Sequence, residues 1–140
     1  RRTLYNVELK ALGLSDGGLS EAVARCITAH GVANRVLISS FSPFTVLAAR
    51  RHVPPVVPVA LLRERALTRL AHGFVKAEAD HPEHVLVDEA LMAWARRRDL
   101  RVNVWTVDDA SEAQRLVRLG VHGIITNQPG FLRAALNSQN

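Results

Sequence analysis

Glu8 and Lys10 stand two residues apart in Asn6-Val7-Glu8-Leu9-Lys10, with Leu4, Val7 and Leu9 supplying the apolar content around them. That pattern reads as a strand. Side chains in a strand alternate between faces, so Glu8 and Lys10 share one face and Val7 and Leu9 the other. A carboxylate and an ammonium on an inward face must pair with each other or hold something, such as a metal or an anion. An exposed ion pair on an edge strand is the other reading these residues allow. His81 and His84, with Asp80 beside them, form a second spacing that could be taken for a metal site. Cys26 is the sole cysteine, which excludes an internal disulfide and a Cys-rich zinc site. It falls on the apolar side of a helical stretch, which predicts a buried, inert thiol.

The elements that must position these groups follow from periodicity and breakers. After the first strand, Leu12 to Gly18 is a glycine-rich loop, and Ser20 is the expected N-cap of a helix that Gly31 ends. Strands are predicted over 36–41 and 56–62. Between them a helix opens on Ser42-Pro43 and stops before Pro54-Pro55. A short helix over 66–71, a weak strand over 74–77 and a break at His81-Pro82 come next. Asp88 caps a helix over 89–96, whose last turn carries Arg96-Arg97-Arg98. A strand over 102–107, a capping box from Asp109 to Glu112, a helix to Gly120, a strand over 121–127 and a closing helix over 131–136 complete the chain. Strands alternating with helices mean βαβ units and a parallel sheet. In such folds ligands gather at the carboxyl ends of the strands. That rule selects Glu8 and Lys10, Ser39-Ser40-Phe41, Trp105-Thr106 and Thr126-Asn127.

The chain has 140 residues, 48% hydrophobic and 22% charged, a single-domain length and an ordinary soluble composition. No apolar run approaches the roughly 20 residues of a membrane span. The net charge of +5 comes almost entirely from arginines scattered along helices without interleaved aromatics, so nucleic-acid binding is not expected. The opening Arg1-Arg2-Thr3 leads straight into strand pattern and the only methionine is Met92, as in a processed chain or a piece of something longer. The cellular location stays open on these grounds, with the cytoplasm favoured.

Taken in order, Asn-Val-Glu-Leu-Lys, Ile-Ser-Ser-Phe-Ser-Pro, His-Pro-Glu-His-Val-Leu-Val, Val-Asn-Val-Trp-Thr-Val-Asp-Asp and Gly-Val-His-Gly-Ile-Ile-Thr-Asn-Gln-Pro resemble the carboxyl-terminal part of a glycerophosphodiester phosphodiesterase. The resemblance covers nearly the whole chain. It implies an α/β fold, a partial (β/α)8 TIM barrel of the phospholipase C-like type with the later strands only, and residues 1–140 as one incomplete domain. It also implies metal-dependent hydrolysis of glycerophosphodiesters to sn-glycerol 3-phosphate and an alcohol, with one divalent cation, Ca2+ or Mg2+. Glu8 matches a metal-binding carboxylate, and Lys10 matches a catalytic lysine that faces the substrate phosphate. Phe41 and Trp105 match aromatic positions lining the substrate pocket, as walls for the glycerol carbons. His-Pro-x-His belongs in that family to a loop before a helix, which gives His81 and His84 a structural or rim role. Asp108 stands where Asn is usual and Asn127 where Asp is common.

The family's amino-terminal His-Arg-Gly, its Glu-x-Asp and its second catalytic histidine have no counterpart in the 140 residues. The expectation is therefore a half that is inactive alone, either aggregation-prone or homo-oligomeric, or completed by a missing amino-terminal half. A non-catalytic domain of the same fold and a phospholipase D-like member of the same barrel group are the alternatives.

Overall fold

The computed structural model describes residues 3–11 and 15–137; Leu12, Gly13 and Leu14 of the expected glycine-rich loop lie outside the described residues. Six strands, β1 (Tyr5–Glu8), β2 (Val36–Ser40), β3 (Val59–Arg63), β4 (Ala79–Pro82), β5 (Arg101–Val104) and β6 (Gly123–Ile124), pair in parallel in chain order. Helices α1 (Leu19–Ala29), α2 (Pro43–His52), α3 (His72–Val75), α4 (Glu89–Arg96), α5 (Ala110–Leu119) and α6 (Pro129–Asn137) follow the strands in turn. Strands that neighbour in sequence also neighbour in space, and the sheet curls into half of a (β/α) barrel.

Caps set the helix starts. The Ser42 hydroxyl accepts from the Thr45 N–H with Pro43 at the first helical position, and the Asp88 and Asp109 carboxylates accept from the N–H groups of Leu91 and Glu112. Only half of the expected capping box forms, because Glu112 turns to His84 and Arg115. Ser20 is not the cap of α1. Asp16 accepts from the N–H groups of Gly18 and Ser20, and Ser20 is buried inside the helix.

Cys26 is exposed, against expectation. The buried stripe of α1 is Ser20, Ala24 and Ile27, and Cys26 lies about 100° round the helix from Ile27. The third strand begins at Val59, after Pro58, and runs on to Arg63. In place of the weak strand expected over 74–77, Phe74 and Val75 end α3 and Lys76 follows as its left-handed cap, and Ala79–Pro82 pairs with β3 where a break was expected.

Alternation sorts every strand into an outer face under the helices and an inner concave face. One apolar cluster on the outer side joins Leu9, Ile38, Val59 and Leu61 to Ala24, Ile27, Val46 and Ala49 of α1 and α2. A second joins Val102 and Val104 to Leu91, Met92, Trp94, Leu116 and Leu132. Polar groups lie in the outer layer as well. Arg63 holds Asp80 with two hydrogen bonds of 2.6 and 2.5 Å, and His72 Nε2 lies 2.9 Å from the same carboxylate. Burial pushes the Asp80 carboxyl up, but the bonds from Arg63 and His72 outweigh it and hold it below the usual range.

Candidate active site at the carboxyl ends of the strands

Val7 and Leu9 pack under the helices, which turns Glu8 and Lys10 to the inner face. The backbone between them is held on both sides. The Leu9 N–H donates to the Ser39 carbonyl at 2.7 Å, and the Ser40 hydroxyl donates to the Leu9 carbonyl at 2.7 Å. Lys10 Nζ stands 3.9 Å from Glu8 Oε1, with side chains 83% and 33% exposed, so the pair is loose and open to solvent. Ser39 is in register with Glu8 and buries its hydroxyl with no partner.

Phe41 and Trp105 meet edge to face, ring centroids 5.4 Å apart, at the ends of β2 and β5. The Trp105 indole N–H donates to the His81 carbonyl at 2.6 Å. His81, on the inner face of β4, has Nε2 2.9 Å from Asn103 Nδ2. With the amide as donor, the ring proton sits on Nδ1, which is buried and unpartnered. Burial pushes the His81 imidazole down to about 4, against a smaller opposing pull from Asp80, so it is neutral near pH 7. Asn103 packs over Gly123: a Cβ there would stand 2.6 Å from Asn103 Oδ1, so a larger residue would have to push the amide aside.

The two histidines of the His-x-x-His spacing thus have separate duties. His84 Nδ1 lies 3.0 Å from Glu112, which Arg115 grips with two more hydrogen bonds, and Arg115 also donates to the Val87 and His84 carbonyls. Hydrogen bonds from Arg115, then from His84, pull the Glu112 carboxyl down to about 2 despite burial. Asp80, the third member of the supposed metal site, points to the outer layer.

Glu83 was missed in the sequence. It pairs across a parallel bridge with Trp105 and so faces the same side, a second half-exposed carboxylate at this rim. A period-2 count outward from His81 finds it once Ala79–Pro82 is read as a strand. Asp108 and Asn127 explain each other. The Asp108 carboxylate accepts from Asn127 Nδ2, from the Asn127 N–H and from the Thr126 hydroxyl, each at 2.8 Å. The two departures from the family's usual residues are one exchange, acid and amide swapped across a single contact.

The profile of the glycerophosphoryl diester phosphodiesterase family matches residues 14–131. The chain belongs to that family. A glycerophosphodiester phosphodiesterase of Caldanaerobacter subterraneus subsp. tengcongensis is 28% identical over 131 residues, covering 92% of this chain and 54% of the relative. Among solved structures, a Silicibacter pomeroyi protein of the glycerophosphoryl diester phosphodiesterase type superposes with a TM-score of 0.85 at 23% identity, over 97% of this chain and 50% of the other. An Oleispira antarctica phosphodiesterase superposes with a TM-score of 0.75 at 17% identity, over 94% and 54%. This phosphodiesterase-family chain spans about half the length of each.

Family members of this type depend on a divalent cation. The donors here fit a hard cation in kind, since Glu8 offers carboxylate oxygen on an open face. They fall short in number: among the described residues no three His, Cys, Asp or Glu side chains come together as a cage.

Proposed function

We propose that these 140 residues form the carboxyl-terminal half of a glycerophosphodiester phosphodiesterase that releases sn-glycerol 3-phosphate and an alcohol. Glu8 is one ligand of a divalent cation, Ca2+ or Mg2+, with the remaining carboxylates supplied from outside this half-barrel. When bound, the cation polarises the phosphate. Lys10 places its ammonium against a non-bridging oxygen and stabilises the negative charge that grows there. Phe41 and Trp105 wall the glycerol carbons, and the His81 carbonyl fixes the angle of the indole.

What supports the reading is the placement of Glu8 and Lys10 on clamped backbone, on the concave face, at the strand ends where barrels of this class do chemistry. The Oleispira antarctica neighbour was solved with sn-glycerol 3-phosphate as product, which is the product proposed here. The test is turnover of glycerophosphocholine by the enzyme carrying these residues together with the complementary half. Glu8→Ala or Lys10→Ala should lower kcat by roughly 10²–10³-fold. Turnover that survives Glu8→Ala would remove the metal role.

A further inference from the structure

We propose that Glu83 is the specificity residue of this rim, its carboxylate accepting a hydrogen bond from the terminal hydroxyl of the substrate's glycerol and so selecting deacylated diesters. The inference rests on the phosphodiesterase reading of the site and adds to it which diesters the site takes.

Glu83 follows Pro82 at the end of β4. Its N–H donates to the Arg63 carbonyl of β3 at 2.8 Å. On the β5 side, the Trp105 N–H donates to the Pro82 carbonyl at 3.2 Å and the His84 N–H to the Trp105 carbonyl at 2.9 Å. The residue is thus locked between two strands, away from β1 and β6 at the sheet edges, where further strands would add. Its side chain lies on the side of the sheet that carries Trp105, its partner across the bridge. That indole is itself pinned by the His81 carbonyl and meets Phe41 edge to face.

What singles Glu83 out is the lack of a partner. Asp16 holds backbone N–H groups, Asp80 holds Arg63, Asp108 holds Asn127, Glu112 holds Arg115, and even the looser Glu8 has Lys10 at 3.9 Å. Glu83 is half-buried, and among the described residues nothing donates to its carboxylate or pairs with it. A carboxylate so placed is costly unless something else supplies the donor.

The neighbouring wall says what supplies it. Phe41 and Trp105 offer apolar surface to carbon atoms, and an acceptor beside such a wall is complementary to a hydroxyl on those carbons. Lys10, which takes the phosphate in this reading, stands at β1, three strands and about 14 Å of backbone spacing from β4. Of the glycerol hydroxyls, the terminal one lies furthest from phosphorus and is the one that reaches across that span to Glu83. Acylation would turn this donor into an ester and leave the carboxylate unpaired, so a monoacylated diester is disfavoured.

The test uses the enzyme carrying these residues together with the complementary half. It is assayed on glycerophosphocholine and on propane-1,2-diol phosphocholine, which lacks only the terminal hydroxyl. The parent should prefer the former by about 10–100-fold in kcat/KM, and Glu83→Ala should abolish that preference. Glu83→Gln keeps an acceptor oxygen and should retain part of it. A parent without the preference, a preference unchanged in Glu83→Ala, or an equal loss on both diesters, as for a metal ligand, would overturn the proposal. So would a marked fall in the thermal midpoint of Glu83→Ala, which would show a carboxylate bound into the fold. Turnover that does not need Glu8, or no turnover of either diester, would fail the phosphodiesterase reading and this inference with it; Glu8-dependent turnover with the preference intact in Glu83→Ala fails the inference alone.

Discussion

Two ion pairs lie on opposite sides of one sheet. Arg63 and Asp80, under the helices, are 1% and 0% exposed and joined by two short hydrogen bonds. Glu8 and Lys10, on the concave face, are 3.9 Å apart, the lysine mostly in water and the glutamate about one-third exposed. The outer pair is closed, with partners that leave no room for a ligand. The inner pair is open, and its charges are available to something that is not protein. Charge of the same chemical type therefore serves architecture on one side and recognition on the other, and what separates the two cases is burial and saturation of partners.

The outer pair gives the largest expected effect. Arg63→Met leaves a carboxylate buried without its main partner, at a cost of about 3–5 kcal/mol by urea or thermal denaturation. Replacing both members, Arg63→Met with Asp80→Leu, should recover part of that loss, because no unpaired carboxylate then remains although the buried His72 ring loses its partner. A single variant as stable as the parent would mean that the two faces do not differ as the geometry says.

His81 is the intermediate case, on the inner face yet buried and half-partnered. Its imidazole sits at about 4 in the folded chain against an ordinary 6.5. Between those values the unfolded chain binds the extra proton, so stability falls as pH drops from 6.5 to about 4, and His81 adds nothing further below that. A shift of this size caps the loss at about 3 kcal/mol. Denaturant midpoints across that window should fall less steeply with acid in His81→Asn than in the parent; parallel curves would show that the imidazole is not held neutral.

The alternation of strands and helices was legible where a strand carries an apolar face at period 2 and a helix a side-chain cap, as at Ser42, Asp88 and Asp109. The shared face of Glu8 and Lys10 was legible for the same reason. The stretch from 74 to 82 was not. Phe74-Val75-Lys76-Ala77 carries more apolar content than Ala79-Asp80-His81-Pro82, yet the latter is the strand. Its outward residue is Asp80, which satisfies itself on Arg63, seventeen positions earlier on the neighbouring strand. Local periodicity has no access to a pairing across strands. Cys26 fails on a smaller scale, one residue off a stripe of three. The exchange at Asp108 and Asn127 is visible in the sequence only as two separate substitutions until the contact joins them.

The smallest effect on stability is expected at the inner pair, and it is the most informative. An exposed, loosely spaced ion pair contributes little to folding, because water and salt screen it and two long side chains must be ordered to form it. Glu8→Gln should leave the thermal midpoint unchanged, since the clamp on this segment is the backbone of Leu9 with Ser39 and Ser40, which the substitution does not touch. The same change should remove turnover where the complementary half is present. Loss of activity with an intact midpoint separates a ligand-facing carboxylate from a structural one. A marked fall in the midpoint would mean that Glu8 is bound into the fold as Asp80 is, and the contrast between the two faces of the sheet would collapse.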